Sequence, residues 1–207
     1  MEKKYKLTEE TINVISKTLY RIEALRDFND VKKGDKGGFV EKEDNLSQSN
    51  NCWVYGDAKV YGNAKVSDNA KICGNAKVYG NARVHTNAMV GGNARIYGDA
   101  QVYGNARIYG DAKVYDDAQV LGDVAVFGEV EICGNAVVCD GTDYIVLKNF
   151  WSSKRYFTWT KSNNMWKVGC FYGTGKELIE KAYADSKRSG KEYERVVRYV
   201  NSILADE

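Results

Sequence analysis

Four basic–aromatic pairs, Lys59/Tyr61, Lys77/Tyr79, Arg95/Tyr97 and Lys113/Tyr115, recur at intervals of 18 residues. Cations give charge-assisted hydrogen bonds to phosphate or carboxylate, and tyrosines add an aromatic surface and a hydroxyl donor. The pairs fit an anionic or nucleotide-like small molecule; a bare repeat decoration or a contact between subunits fits them too. His85 is the one imidazole available as a general base. Its position in the sequence pattern is held elsewhere by Tyr, Ser, Leu or Cys, which argues against a catalytic role.

Three other constellations are weaker. Gly169-Cys170-Phe171-Tyr172-Gly173-Thr174-Gly175-Lys176-Glu177 sits between strand-like and helix-like stretches, where backbone amides hold anions. A phosphate loop needs glycine at position 170 and Ser or Thr at position 177, so the segment reads as a turn and a capping box. The five cysteines include no CxxC spacing, and Cys73, Cys133 and Cys139 fall in different columns of the repeat, so neither a metal site nor a disulfide framework is expected. Arg155-Tyr156-Phe157-Thr158-Trp159-Thr160-Lys161 interleaves rings and cations as single-strand nucleic-acid platforms do, and as a sheet packed on helices does. A formal charge of +2 argues against nucleic acid as a partner, and no apolar run approaches the ~20 residues of a membrane span.

The elements that position these groups follow from a repeat. From Val54 to Asp143 the chain advances in fifteen uninterrupted hexads. The first position is always Val or Ile, the fifth is Ala in twelve, the third is Gly in eleven and the fourth Asn or Asp in thirteen. Large and small apolar residues alternating with polar ones form a strand of about four residues, as in Ala58-Lys59-Val60-Tyr61. The Gly and Asn/Asp positions form a tight corner. Such short strands bury nothing alone, so the units must stack into a solenoid. Charge is uneven along it, with seven basic and three acidic residues from Val54 to Arg107 and one basic and seven acidic from Ile108 to Asp140. That polarity suits head-to-tail contact, attraction of the basic C-terminal segment, or simple solvation.

The [LIV]-x-G-[ND]-A-x pattern resembles the hexapeptide-repeat superfamily. Upstream, Arg26-Asp27-Phe28-Asn29-Asp30-Val31-Lys32-Lys33-Gly34-Asp35-Lys36-Gly37-Gly38-Phe39-Val40, then Asn45-Leu46-Ser47-Gln48 and Cys52-Trp53-Val54-Tyr55, resemble the start of its bacterial and phage-borne "putative acyltransferase" subgroup. The resemblance covers roughly residues 20 to 140. It implies a left-handed parallel β-helix of about five 18-residue coils and a homotrimer. It also implies, as an alternative function, acyl transfer from a coenzyme A-type donor with His85 as base, although the inserted loop that commonly helps build such sites is missing.

The expected fold is therefore mainly β, with an N-terminal β cap (1–53), a hexapeptide β-helix (54–143) and a small α+β module (144–207). In the cap, Tyr20, Ile22 and Ala24 alternate as in a strand, and Gly37-Gly38 marks a turn. In the module, strands are expected at Tyr144–Phe150, Tyr156–Lys161 and Met165–Phe171. Two helices follow, opened by capping boxes at Thr174–Glu177 and Ser189–Glu192. The second would place Tyr193, Val196, Val197, Val200, Ile203 and Leu204 on one face. The functional expectation is a non-catalytic binding protein without cofactor, a phage or prophage accessory that sequesters a host nucleotide signal in the host cytoplasm. It would do so on its Lys/Tyr face or in clefts between subunits. A purely structural or protein-binding trimer is the remaining alternative.

Overall fold

The computed structural model describes residues 2–149 and 154–205. The chain divides into two compact units, Met1–Gly141 and Thr142–Glu207. Among the described residues no helix is long and apolar enough to cross a membrane.

The first unit is a parallel β-solenoid built from fifteen two-residue rungs among the described residues, Trp53–Val54 to Val137–Val138. Every third rung pairs in parallel, which sorts them into three five-rung stacks. The Val/Ile and Ala positions point inward and are fully buried through almost the whole run. Amides of one turn donate to carbonyls of the next, as Lys59 to Ala76 at 2.9 Å and Tyr61 to Val78 at 3.0 Å. The corners need left-handed backbone. At Gly104 (φ +73°) a Cβ would sit 2.7 Å from the Gly122 amide nitrogen, so glycine is needed there for both conformation and space.

The N-terminal segment extends the solenoid by an irregular turn. Strands β1 (Tyr5–Val14) and β2 (Lys17–Ala24) form an antiparallel hairpin, and β3 (Lys36–Val40) pairs with β2 on one side and in parallel with Lys59–Val60 on the other. Leu46 bridges to Val66 in the neighbouring stack. This turn precedes the five coils that the hexads define. Gly37-Gly38 is not a turn, as the sequence had suggested; both residues lie inside β3. A Cβ on Gly37 would fall 2.6 Å from Ile22 Cγ1 and the Val54 carbonyl, and one on Gly38 would fall 2.5 Å from the Ala58 carbonyl. The chain instead turns at Gly34 (φ +92°).

Aromatic and charged groups close this end. Trp53 is buried, with Phe28 and Tyr5 packed edge-on at 5.3 and 6.1 Å. Lys4 is also fully buried. Its Nζ donates to the carbonyls of Cys52 (2.9 Å) and Ser49 (3.3 Å) and lies 5.2 Å from the Phe28 ring centre. Burial pushes its pKa down.

The second unit is a four-stranded antiparallel meander, β4 (Tyr144–Lys148), β5 (Tyr156–Thr160), β6 (Met165–Val168) and β7 (Phe171–Gly173), followed by α1 (Gly175–Asp185) and α2 (Lys187–Ala205). The stretch expected to run from Met165 to Phe171 is split at Gly169 (φ +57°). Tyr144–Phe150 is a strand as far as Lys148; Phe150 lies outside the described residues. The core joins Phe157, Trp159, Trp166 and Val168 to Leu178, Val197 and Val200. On α2, Tyr193, Val196 and Leu204 pack beside it, whereas Ile203 is exposed.

Thr174 and Glu177 form the expected capping box, Thr174 N donating to Glu177 Oε2 at 2.8 Å and Glu177 N to Thr174 Oγ1 at 3.3 Å. The second helix begins earlier than the sequence suggested. It starts at Lys187, and Ser186 Oγ accepts the Ser189 amide at 3.0 Å.

Gly38→Ala is expected to cost about 2–4 kcal/mol, because the clash is with backbone. Gly34→Ala, where nothing lies within 4 Å of the new Cβ, is expected to cost about 1–2 kcal/mol from conformation alone. Urea midpoints of the two variants check this, and equal losses would refute the close-approach account.

Candidate functional site

The sequence-selected residues share one face. Parallel pairing aligns Lys59, Lys77, Arg95, Lys113 and then Glu131 in successive turns. Outward tyrosines two positions further on follow the same register. Tyr61–Tyr79 and Tyr79–Tyr97 stack at 5.0 Å and Tyr97–Tyr115 at 4.8 Å, with interplanar angles of 1–3°. Solenoid pitch forces this spacing, which matches the ~4.8 Å between paired strands.

Self-stacking changes what the rings offer. Tyr79 and Tyr97 have a neighbouring tyrosine on each face, and Tyr61 is buried against Leu19 and Phe39 of the N-terminal hairpin. No gap remains for a base between the inner rings, so their ligand-facing groups are edges and hydroxyls. Burial raises the pKa of Tyr61 and Tyr79 and pushes Tyr97 up to about 12. Arg95 acts in the opposite sense on Tyr61 and Tyr79, and Lys113 on Tyr79, so the cations are close enough to stabilise negative charge at that edge.

The cation column is not uniform. Lys59 donates to the Asp57 carbonyl at 2.7 Å, and burial lowers its pKa. Lys113 pairs with Glu131 at 2.7 Å, and Glu131 also accepts from the Tyr115 hydroxyl at 3.2 Å. Among the described residues, Lys77 and Arg95 form no ion pair. Among the described residues the face thus carries three consecutive cations without a carboxylate partner, Lys59, Lys77 and Arg95, of which Lys59 is tied to a backbone carbonyl. Sequence inspection missed the closing role of Glu131, although its position 18 residues beyond Lys113 was a readable signal.

His85 stands in a different stack, where its ring lies on Tyr103 at 5.0 Å and 5°. Its Nδ1 is 3.1 Å from Thr86 Oγ1 and 3.9 Å from Asp68 Oδ2. It is therefore one member of an aromatic column, apart from the Lys/Tyr face. The five cysteines are thiols, Cys52 and Cys133 buried and Cys139 and Cys170 exposed, and the described residues hold no cluster of His, Cys, Asp or Glu able to bind a metal. In the Arg155–Lys161 string, Phe157, Thr158, Trp159 and Thr160 are buried and Tyr156 is half-buried, so most of the residues between its cations belong to the core.

Corner asparagines make a further set of columns, which the repeat alone does not reveal as hydrogen-bonded. Asn51, Asn69, Asn87 and Asn105 each donate to the next, and Asn105 donates to Asp123. Asn81 likewise donates to Asp99 and Asn93 to Asp111. The clue was again the 18-residue interval, with Asp at the receiving end.

Residues 70–86 and 100–116 match the family described as YdcK Beta solenoid repeat. A 37-residue stretch is 49% identical to the Escherichia coli (strain K12) protein named "Uncharacterized acetyltransferase YdcK". That stretch is 18% of this chain and spans 11% of the relative's length. The chain thus carries hexapeptide-like β-solenoid repeats.

Because Tyr97 holds its proton more tightly when folded, with a pKa of about 12 against an ordinary 10.0, its contribution to stability is complete below pH ~10 and is lost as pH climbs towards ~12. Denaturation midpoints across that range should fall for the wild type and fall less steeply for Tyr97→Phe. Parallel curves would mean that the ladder hydroxyl titrates alike in both states.

Proposed function

We propose that the first unit is a non-catalytic binding surface for an anionic small molecule, held on the Lys/Tyr face. Lys77 and Arg95 supply the charge, Tyr79 and Tyr97 supply hydroxyls, and Lys59, held to the Asp57 carbonyl, and Lys113, paired with Glu131, delimit the site. The observation that carries this reading is the pair of cations in adjacent turns without ion pairs, beside a rigid tyrosine edge. Stacked like charges repel, and a phosphate or carboxylate group relieves that cost. A nucleotide bound here engages through its phosphates, because the inner ring faces are occupied. A homotrimer with further ligand contacts between subunits, and a phage or prophage accessory role in sequestering a host nucleotide signal, extend the proposal on the strength of the superfamily resemblance.

A second reading is acyl transfer from coenzyme A-type donors with His85 as base, favoured by the acetyltransferase name of the matched relative.

Thermal-shift and calorimetric titration against nucleotides and inorganic pyrophosphate test the first reading. A ligand is expected to raise the Tm of wild type, and Lys77→Glu with Arg95→Glu is expected to weaken binding at least about tenfold, or ~1.4 kcal/mol. Equal affinity in wild type and double variant would remove the face as the site. Acetyl-CoA turnover that disappears in His85→Ala would establish the second reading in its place.

A further inference from the structure

The positive charge of the chain is concentrated in its C-terminal part. Tyr144–Glu207 holds 12 basic and 7 acidic residues, against 30 and 28 in the whole sequence. Five of those cations, Lys187, Arg188, Lys191, Arg195 and Arg198, lie within one stretch of α2. At 3.6 residues per turn they fall in a sector about 100° wide and about 16 Å long. The opposite side of the helix holds the buried Gly190, Val197 and Val200. All five are exposed.

No acidic residue of α2 enters that sector. Glu192 and Glu194 flank it, pairing with Arg195 at 2.7 Å and Arg198 at 2.6 Å. Glu194 is also committed to the Tyr183 hydroxyl at 2.7 Å, which ties α2 to α1. These are surface pairs, with the Arg195 and Arg198 side chains 72% and 76% exposed, so each guanidinium keeps donors free to face solvent. Two shallow depressions follow the stripe, of about 290 Å³ lined by Lys191, Arg195 and Arg198 with Glu194 at the edge, and of about 360 Å³ lined by Lys187, Arg188 and Lys191 with Glu192. Tyr199, 57% exposed, borders it.

We propose that this stripe on α2 is an interaction surface for the phosphate backbone of nucleic acid. Cations set roughly a turn apart along a straight helix match a linear array of phosphates, and nothing in the stripe reads base edges, so binding is electrostatic and indifferent to sequence. The surface is independent of the Lys/Tyr face, which lies in the other unit.

Fluorescence anisotropy of short labelled single strands and duplexes, titrated with the full-length protein between about 50 and 200 mM salt, tests it. Binding is expected with a slope of log K against log salt of roughly −3 to −4. Lys191→Glu with Arg195→Glu, folded by circular dichroism, is expected to weaken binding at least tenfold and flatten the slope by about 2. Lys77→Glu with Arg95→Glu is expected to leave nucleic-acid binding intact whether or not the small-molecule proposal holds. Absence of binding at the lowest salt, an unchanged slope in the α2 variant, or binding to anionic lipid vesicles but not to nucleic acid would each overturn the assignment.

Discussion

Everything in the first unit depends on one constraint, the parallel register that sets residue n against residue n+18. Each rung is only two residues long, so no rung has a choice of partner once its neighbours are placed, and every outward side chain lies over its counterpart a turn away. Register converts a sequence column into a physical stack. Tyrosines gain by it, since flat rings at 5.0 Å bury one another. Amides gain as well, because each asparagine both donates and accepts. Lysines lose, as two unit charges ~5 Å apart repel by about 1 kcal/mol even in water. The same geometry therefore makes the tyrosine column rigid and leaves the cation column beside it in need of a counter-charge, which Glu131 supplies at one end.

How much of this could be read from the residues follows from the same rule. The hexads are strictly periodic, so the rungs, the buried Val/Ile and Ala positions and the composition of each face were legible, and Lys59, Lys77, Arg95 and Lys113 share a column as read. What was not legible was how side chains in a column treat one another. A recurring tyrosine suggests ring faces open to a ligand, but at this pitch the rings spend those faces on one another. The irregular segments were harder for a different reason. Gly37-Gly38 has the composition of a turn, and only the proximity of Ile22, Val54 and Ala58, residues remote in sequence or on another strand, shows why a straight strand needs two glycines there. In the second unit, Ser189-Gly190-Lys191-Glu192 has capping-box spacing, yet Gly190 lies inside the helix because its missing side chain lets Tyr183 pack against α2.

An open solenoid end exposes inward apolar residues and unpaired carbonyls together, and the N-terminal segment answers both. Trp53, Phe28 and Tyr5 cover the apolar end, while Lys4 carries a buried ammonium to the carbonyls of Ser49 and Cys52. A buried charge is costly unless its donors are used, and here they are used by carbonyl groups at the N-terminal end, where a regular preceding turn would have supplied backbone amides. On the outer surface, Phe39 and Leu19 close the tyrosine column over Tyr61, with Arg21 lying 4.2 Å from the Phe39 ring centre. One hairpin thus finishes the interior and the exposed ladder at the same time.

The axial charge gradient has a related origin. In the corner columns each asparagine passes its amide hydrogen forward, to the turn that follows. The last member of such a relay needs only to accept, and a carboxylate does so more strongly than an amide oxygen. Asp99, Asp111 and Asp123 occupy those receiving positions, at 2.9, 3.0 and 2.6 Å from their donors. Asp116 does a similar service one position earlier in its hexad, accepting the Gly134 amide at 3.1 Å. Of the seven acidic residues from Ile108 to Asp140, Asp111 and Asp123 thus end relays, Asp116 holds a backbone amide and Glu131 pairs with Lys113, so part of the gradient arises inside the unit. The cations are different. Lys77 and Arg95 sit on the flat of a rung, where no relay passes and the column holds no carboxylate in an adjacent turn, and their charge is left directed outward.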